Sequence, residues 1–371
     1  MSVSFEEILV DQSIAGHPLC QKAIRAQESA QENPPHINVI PSEQIKELGF
    51  EANGQKGVLV LTANRGRPLR PCPGTFGEVC CNLYVFNFIS GCPFSCSYCY
   101  LESYLNQGGI HIQVDLDSTV EHLCHTFRAE PNRIFRVGTG ELADSLAVPA
   151  SDPLNRYLIN SLSREKNTLL ELKTKSNRVD HLLDLDPRNR VVISWSLSPS
   201  SLAKREENHT ASTSERIIAA KKVIDFGYQV ALHLDPLMYC HPSLENWKKD
   251  YAGLLDEIFS TLPPHKISWI SLGGLRLMKG LREKMEFQAP ESLLPYQEMV
   301  PGIDGKLRYP KPLRKFMFQH LRNEIQKRYG NKAPPVYLCM ETKEVWEKTL
   351  GSGPRSQSQI SHLFSHSLPA N

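Results

Sequence analysis

The stretch LYVFNFISGCPFSCSYCY, residues 83–100, joins an apolar run to a loop that contains three closely spaced cysteines. The run LYVFNFI at 83–89 is rich in aromatic and β-branched residues, which predicts a buried strand. A glycine and a proline follow it and predict an irregular turn. Cys92, Cys96 and Cys99 then form a C-x3-C-x2-C pattern. A strand that leads into a turn of this kind predicts a metal-binding loop at the end of the strand.

Apolar runs of the same type recur along the chain and alternate with helical patterns. They lie at 133–138, 168–174, 190–196, 228–234 and 266–273. Alternating strands and helices predict a parallel sheet, because consecutive parallel strands need a long right-handed crossover. The predicted fold class is therefore α/β, a partial (β/α)6 TIM-like barrel with an N-terminal extension and a C-terminal α/β element. Active-site groups of such folds lie at the carboxyl ends of the strands.

Local signals predict where individual helices begin. Ser118 and Glu121 fit a capping box before VEHLCHTF, and Thr213 precedes the run SERIIAAKKVIDF, which stops at Gly227. A further helical stretch at 312–330 leads to a last strand, PVYLCM, and a short helix.

The chain is expected to divide into four segments. The predicted segments are an N-terminal extension at 1–57, a barrel at 58–280 with the metal-binding loop at 91–100, a C-terminal element at 281–351 and a disordered tail at 352–371.

The composition limits the class of protein and its partners. A chain of 371 residues with 40% hydrophobic and 22% charged residues is globular, which excludes a fibrous or mostly disordered protein. Its net charge of +2 gives no overall attraction to nucleic acid, so any such contact needs a local basic patch. An acidic N-terminus and the absence of an apolar run near ~20 residues predict a cytoplasmic protein. Ten cysteines in that compartment favour metal or redox chemistry over disulfides.

The spacing of the three cysteines is typical of an iron–sulfur cluster or a zinc site. A four-iron cluster with three protein ligands keeps one iron open for a cofactor. The alternative is a closed, redox-inert zinc site, which Cys72, Cys80 or Cys81 would complete.

The motif and its surroundings resemble the spore photoproduct lyase family of the radical S-adenosylmethionine (radical SAM) superfamily, from about Val60 to Gly351. The resemblance rests on RPCPGT at 70–75, CCNLY at 80–84, GCPFSCSYCYLESYLN at 91–106, KTKSNRVDHLLD at 173–184 and WSLSP at 195–199. It implies a lyase that uses a 4Fe–4S cluster and S-adenosyl-L-methionine to form a 5′-deoxyadenosyl radical. The implied reaction is carbon–carbon bond cleavage of a thymine photoproduct in UV-damaged DNA, with electrons from a donor such as flavodoxin or ferredoxin.

The resemblance also implies cofactor contacts at three strand ends. In VGTGELADS at 137–145, the candidates are Gly138, Thr139, Gly140 and Glu141. The glycines let the backbone approach the methionine part of the cofactor, and the Glu141 carboxylate accepts hydrogen bonds. The same stretch fits a weak G-x-G-x-x-A dinucleotide fingerprint, but no convincing acidic partner lies at the end of the following strand. On the next two strands, Lys175 and Ser196 match family cofactor contacts.

Tyr98 and Tyr100 match the tyrosine pair that the family is thought to use for returning a hydrogen atom to the cofactor. The family's hydrogen-donating cysteine has no counterpart, because the aligned position is Gly138. Cys339 is the first candidate for a replacement donor, and Cys240 is the second.

A basic segment, DGKLRYPKPLRK at 304–315, has the position of a DNA-contacting hairpin in the lyases. Lys306, Arg308 and Tyr309 are the candidate nucleic-acid contacts, since cations bind phosphate and an aromatic ring stacks on bases. The alternative is an ordinary solvated face. Two other functions stay open at this point: radical modification of a different substrate, and a non-catalytic iron–sulfur or zinc protein that binds nucleic acid.

Overall fold

The structure, a computed structural model, describes residues 3–47, 57–64, 66, 69–75, 77–105, 108–241, 243–351, 353 and 364. The strands are, in chain order, β1 Glu7–Asp11, β2 His36–Ile40, β3 Val58–Thr62, β4 Leu69–Pro71, β5 Glu78–Val79, β6 Leu83–Phe86, β7 Ile89–Ser90, β8 Ser95–Cys96, β9 Ile110–Gln113, β10 Phe135–Gly138, β11 Thr168–Thr174, β12 Val191–Ser196, β13 Glu207–Asn208, β14 Gln229–Leu237, β15 Ile267–Gly274, β16 Arg276–Leu277, β17 Val300–Pro301, β18 Leu307–Arg308, β19 Val336–Leu338 and β20 Glu341–Thr342. The α-helices are α1 Pro18–Glu28, α2 Ser42–Glu47, α3 Leu101–Tyr104, α4 Asp117–Ala129, α5 Asp152–Leu162, α6 Ser200–Glu206, α7 Thr213–Asp225, α8 Leu244–Thr261, α9 Leu281–Gln288, α10 Lys311–Tyr329 and α11 Lys343–Leu350.

Each predicted apolar run contains a strand: β6, β10, β11, β12, β14 and β15, followed later by β19. The helix starts differ in detail from the prediction. The capping box predicted at Ser118 is wrong, because α4 already begins at Asp117 and its N-cap is the fully buried Leu116. Helix α7 does have a capping box, formed by Ser212 and Glu215, so its cap lies one residue before Thr213.

The chain divides into two compact units. Unit 1 comprises Met1–Pro71, Leu83–Phe94 and Tyr104–Val191. One of its sheets has the order β2-β1-β3-β9-β7 and is parallel except for β7. In the other group of paired strands, β6, β10 and β11 are parallel and β4 is antiparallel to β6. Gly138, at the carboxyl end of β10, thus lies between Val85 and Glu171.

The segment predicted as a peripheral N-terminal extension contributes β1 and β2 to the first of these sheets. In β1 the residues Ile8 to Asp11 are buried, and Glu7 to Val10 pair with Val58 to Leu61 of β3. The strand signal in the sequence was weak because the apolar run is only three residues long, whereas pairing on both sides buries it.

Unit 2 comprises Cys72–Asn82, Ser95–Ser103 and Val192–Asn371. Its main strands β12, β14, β15 and β19 are parallel neighbours in that order. Short antiparallel pairs accompany them: β8 with β13, β5 with β20, and β18 between β16 and β17. Ser196 ends β12 and Cys339 follows β19, so both residues lie at carboxyl ends of parallel strands, where the sequence predicted the active site.

The tail predicted to be disordered, 352–371, lies outside the described residues except for Gly353 and Phe364. The Phe364 ring is buried and packs edge-on against Trp269 and Tyr337, with ring centroids 5.0 and 5.5 Å away. Within the described ranges, no helix is both long enough and apolar enough to cross a membrane.

Candidate active site

The cysteine loop, which is the predicted metal-binding loop at 91–100, begins in unit 1 with a turn that only glycine accommodates. Gly91 has a φ of +93°, and a Cβ at this position would lie 2.6 Å from the carbonyl oxygen of Gly109. Its amide donates to the carbonyl of Leu142 at 2.9 Å, which ties the loop to the segment that follows β10. The turn is followed by Cys92, which is partly exposed and forms no disulfide.

In unit 2, backbone pairing holds the other two cysteines. Cys96 lies on β8 opposite Glu207 of β13, and its carbonyl accepts a hydrogen bond from the Cys99 amide at 3.1 Å. Neither Cys96 nor Cys99 forms a disulfide; Cys96 is buried and Cys99 is partly exposed.

The donor set of the loop fits an iron–sulfur cluster, because three cysteines within one loop supply sulfur ligands alone. Among the described residues, no group of three His, Cys, Asp or Glu side chains surrounds a common metal position. Cys72, Cys80 and Cys81, the residues invoked for the zinc alternative, are also partly exposed and form no disulfide.

The glycine-rich segment after β10 is closely packed. Thr139 is fully buried, its amide donates to the carbonyl of Glu171 at 3.2 Å, and its hydroxyl lies 2.8 Å from that of Ser145. A Cβ at Gly140 would lie 3.0 Å from the Cβ of Lys173. The backbone at Gly140 therefore packs directly against Lys173, an approach that a residue with a Cβ would hinder.

Two donors hold Glu141 in place. Its Oε2 accepts hydrogen bonds from Arg70 Nη2 at 3.1 Å and from Asn87 Nδ2 at 2.5 Å. The Glu141 side chain is 13% exposed, against 44% for Arg70. Sequence reasoning missed both partners, although Arg70 opens the RPCPGT stretch on which the resemblance rests.

A buried carboxylate, Asp144, supports the backbone at Lys175. Its Oδ2 accepts from the Lys175 amide at 2.6 Å, and its Oδ1 accepts from the Thr174 hydroxyl at 2.7 Å. Burial raises the pKa of the Asp144 carboxyl, and these hydrogen bonds act against that rise. Asp144 belongs to the predicted stretch 137–145, yet no signal in that stretch distinguishes it from its neighbours.

The two candidate relay tyrosines differ in environment. Tyr98 is buried and its hydroxyl donates to Glu207 Oε1 at 2.5 Å, whereas Tyr100 is 39% exposed. Burial, followed by the Glu207 charge, holds the pKa of Tyr98 well above its ordinary value. In the same unit, Ser196 is buried and its carbonyl accepts from Arg216 Nη1 at 3.0 Å.

The candidate hydrogen donors also differ. Cys339 is partly exposed, its amide donates to the carbonyl of Leu272 at 2.8 Å and its carbonyl accepts from Arg276 Nη1 at 3.1 Å. Cys240 is buried, and its sulfur accepts from Arg205 Nη2 at 2.6 Å. Burial raises the pKa of the Cys240 thiol to about 11.

The basic segment is largely turned inward. Arg308 is buried and forms ion pairs with Glu78 and Asp304, and Tyr309 is fully buried with its hydroxyl accepting from the Tyr239 amide at 2.8 Å. Lys306 keeps a 24% exposed side chain, 3.4 Å from Asp304. The exposed basic and aromatic surface that the sequence predicted is therefore not formed by Arg308 and Tyr309, since carboxylates neutralise one and backbone bonding buries the other.

An α/β fold of parallel strands with a three-cysteine loop is the arrangement of a radical SAM enzyme, and the comparisons with known proteins agree. The family model of spore photoproduct lyase matches residues 80–299. That match covers more than half of the chain, so the protein belongs to the spore photoproduct lyase family. Membership confirms the predicted resemblance, the predicted lyase class and the predicted cofactor types, a 4Fe–4S cluster and S-adenosyl-L-methionine.

Individual relatives are distant but extend along the chain. A spore photoproduct lyase from Clostridium acetobutylicum is 22% identical over 91% of this chain and 100% of its own length. One from Bacillus subtilis is 24% identical over 58% of this chain and 63% of its own.

Solved structures of spore photoproduct lyase share the fold. A variant with dinucleoside spore photoproduct has a TM-score of 0.77 at 20% identity and covers 91% of this chain and 100% of its own. A variant with bound AdoMet and dinucleoside spore photoproduct has a TM-score of 0.75 at 19% identity and covers 91% and 99%. The likeness confirms the predicted fold class.

Proposed function

We propose that this protein repairs UV-damaged DNA by cleaving the carbon–carbon bond that joins the thymines of spore photoproduct. The observation that carries the proposal is the family match over residues 80–299, which includes the three cysteines of the cysteine loop. Two solved relatives hold dinucleoside spore photoproduct, and one of these also holds AdoMet. Ligands of the same classes are the first candidates for this chain.

Cys92, Cys96 and Cys99 would bind three irons of a 4Fe–4S cluster, and S-adenosyl-L-methionine would bind the fourth. When bound, the two groups supply a 5′-deoxyadenosyl radical that abstracts hydrogen from the substrate. The chain itself holds the nucleoside and excludes water. In unit 1 the close-packed backbone of Gly138, Thr139 and Gly140 and the fixed carboxylate of Glu141 suit that task, as does Lys175.

In unit 2, Ser196 contributes a buried hydroxyl at the end of β12, and Cys339 is the proposed hydrogen donor. Its partial exposure favours it over Cys240, because a donor must meet the substrate and Cys240 is buried against Arg205. Tyr98 and Tyr100 would return the hydrogen atom to the cofactor.

DNA contact is proposed for Lys306, whose side chain reaches solution. Arg308 and Tyr309 would act by holding this segment to the protein. The division into a barrel at 58–280 and a C-terminal element at 281–351 belongs to the same proposal, with a flavodoxin or ferredoxin as electron donor.

The radical chemistry is tested without the lesion. The reconstituted protein, reduced with dithionite under anaerobic conditions, should cleave S-adenosyl-L-methionine and release 5′-deoxyadenosine. If a protein with four irons per chain left the cofactor intact, the proposal would be overturned.

A further inference from the structure

Two adjacent buried carboxylates, Glu206 and Glu207, hold the part of the cysteine loop that belongs to unit 2. Glu206 accepts a hydrogen bond from the Ser97 hydroxyl through Oε2 at 2.5 Å, and its carbonyl accepts from the Ser97 amide at 2.8 Å. The hydroxyl of Ser292 donates to the same carboxylate at 2.7 Å, and Arg205 Nε donates to Oε1 at 2.8 Å. Side chain and backbone of this turn thus both bind the loop.

Glu207 is the more closely connected to the predicted ligands. It pairs with Cys96 across β13 and β8, and its Oε1 accepts from the hydroxyls of Tyr98 at 2.5 Å and Ser198 at 3.0 Å. Its Oε2 lies 2.7 Å from Nη1 of Arg216, with side-chain exposures of 1% and 0%. A carboxylate and a guanidinium therefore form an ion pair that water does not screen.

Arg216 extends the connection to the end of β12. Its Nη1 also donates to the carbonyl of Ser196 at 3.0 Å, its Nε donates to the carbonyl of Ala211 at 2.7 Å, and its Nη2 donates to the Thr210 hydroxyl at 2.6 Å. The rigid guanidinium of Arg216 thereby connects Glu207, which contacts the cysteine loop, to Ser196, a proposed cofactor contact at the end of β12.

We propose that the Glu207–Arg216 pair sets the reduction potential of the cluster bound at this loop, with both residues acting as positioning residues. The inference rests on the proposed function, because it takes Cys96 to be a cluster ligand. Cluster potentials depend on net charge, hydrogen bonding and solvent exposure around the sulfurs. In a buried environment, a charge on the residue opposite a ligand is weakly screened, so the balance between carboxylate and guanidinium controls the local field.

Because the two charges have opposite signs, neutralising Glu207 and neutralising Arg216 should shift the midpoint potential in opposite directions. Glu207→Gln keeps the side-chain shape and leaves the Arg216 cation uncompensated, which should raise the midpoint potential of the cluster. Arg216→Gln leaves the Glu207 anion uncompensated, which should lower it. A role in packing alone has no reason to move the potential in opposite directions.

The matched control is Glu341→Gln. Glu341 forms a buried ion pair with Arg314 in the same unit, with Arg314 Nε 2.7 Å from Oε1. Glu341→Gln, like Glu207→Gln, therefore removes one carboxylate charge from a buried ion pair. Glu341, however, is not paired with the cysteine loop. The midpoint potential of the cluster in this control variant should stay near that of the wild type.

The measurement is an anaerobic redox titration of the reconstituted protein, followed by the EPR signal of the reduced cluster. Shifts of opposite sign, each several times that of the control, are expected. Shifts of the same sign, or no larger than that of the control, would overturn the inference while the proposed function stood. A wild-type protein without a reducible cluster would instead overturn the proposed function.

A milder variant serves if either substitution prevents folding. Ser198→Ala removes one neutral donor to Glu207 and leaves the ion pair intact, so no buried charge loses its partner. It should lower the midpoint potential, because the carboxylate is then less neutralised. An unchanged potential in this variant, with full iron content, would contradict the inference.

Discussion

The guanidinium of Arg70 lies 3.1 Å from the carboxylate of Glu141, measured from Nη2 to Oε2, and Asn87 donates to the same oxygen. The side chain of Glu141, which the sequence suggests as a cofactor contact, thus has a fixed orientation. Because Arg70 is half-exposed, solvent screens the pair, which adds only about 0–1 kcal/mol to folding stability. Its effect on ligand binding is expected to be larger, because it orients a side chain that would contact the cofactor.

Arg70→Gln should therefore weaken binding of S-adenosyl-L-methionine about tenfold, or about 1.4 kcal/mol, which is close to the lower end of what a hydrogen bond to a charged group contributes. Equilibrium binding to the reconstituted protein measures this. Arg188→Gln is the control, since it removes another half-exposed arginine of unit 1 that lies 3.9 Å from Asp186. If both variants bound S-adenosyl-L-methionine with equal affinity, Arg70 would have no role in cofactor binding.

The turn at Gly91 gives a prediction about the cysteine loop itself. Gly91→Ala should destabilise the cluster-free protein by more than about 2 kcal/mol, since a positive φ costs about 1 kcal/mol for alanine and the new Cβ would meet the Gly109 carbonyl. Denaturant unfolding measures the change.

Gly280→Ala isolates the backbone contribution, because Gly280 has a φ of +79° and, apart from its own neighbours in the chain, no atom of the described residues comes within 4 Å of the position that a Cβ would take. It should cost only about 1 kcal/mol. If both variants were equally stable, the close approach of Gly91 to Gly109 would have no energetic weight.

The metal itself distinguishes the cluster from the zinc alternative. Cys96→Ala should abolish the brown colour and the EPR signal of the reduced cluster, because three thiolates are the full protein ligand set. Cys80→Ala should keep both, since Cys80 is not part of the triplet. Loss of metal in both variants, with zinc as the metal of the wild type, would establish the closed site.

The hydrogen donor is tested with two thiols of contrasting burial. Cys339→Ala should let substrate-derived by-products accumulate, whereas Cys240→Ala should leave the product profile unchanged. An identical profile in Cys339→Ala and wild type would exclude Cys339.

Alkylation provides an independent check on the same pair in the cluster-free protein. Burial raises the pKa of Cys240 to about 11, so at pH 8 only about one thiol in a thousand is a thiolate. Peptide mapping after iodoacetamide treatment should show Cys339 modified well before Cys240, and Cys240 should gain reactivity as the pH rises towards 11.

The sequence predicted the parallel strands well because buried strands such as VVISWS are nearly continuous apolar runs that alternate with helical patterns. It predicted the cysteine triplet for a different reason, since the spacing is local and needs no tertiary information. The strand β1 was harder to recognise, because its buried run ILV is short and acquires its partners from distant parts of the chain.

The side chains around the site could not be predicted in the same way. Glu207 and Tyr98 are 109 positions apart and meet only through folding. Arg308 and Tyr309 show the opposite error: a basic and aromatic run indicates an exposed binding face, yet Glu78 lies 230 positions away and pairs with Arg308. Charge in a sequence does not reveal which charges are already neutralised within the protein.

The most direct test of the proposed function is repair of a defined lesion. The reconstituted, reduced protein is incubated with S-adenosyl-L-methionine and an oligonucleotide that carries one spore photoproduct, and restored thymines are quantified by chromatography. The proposed function predicts thymine formation that depends on both the cofactor and Cys96. Release of 5′-deoxyadenosine with the lesion left intact would contradict it, and would identify a radical enzyme with a different substrate.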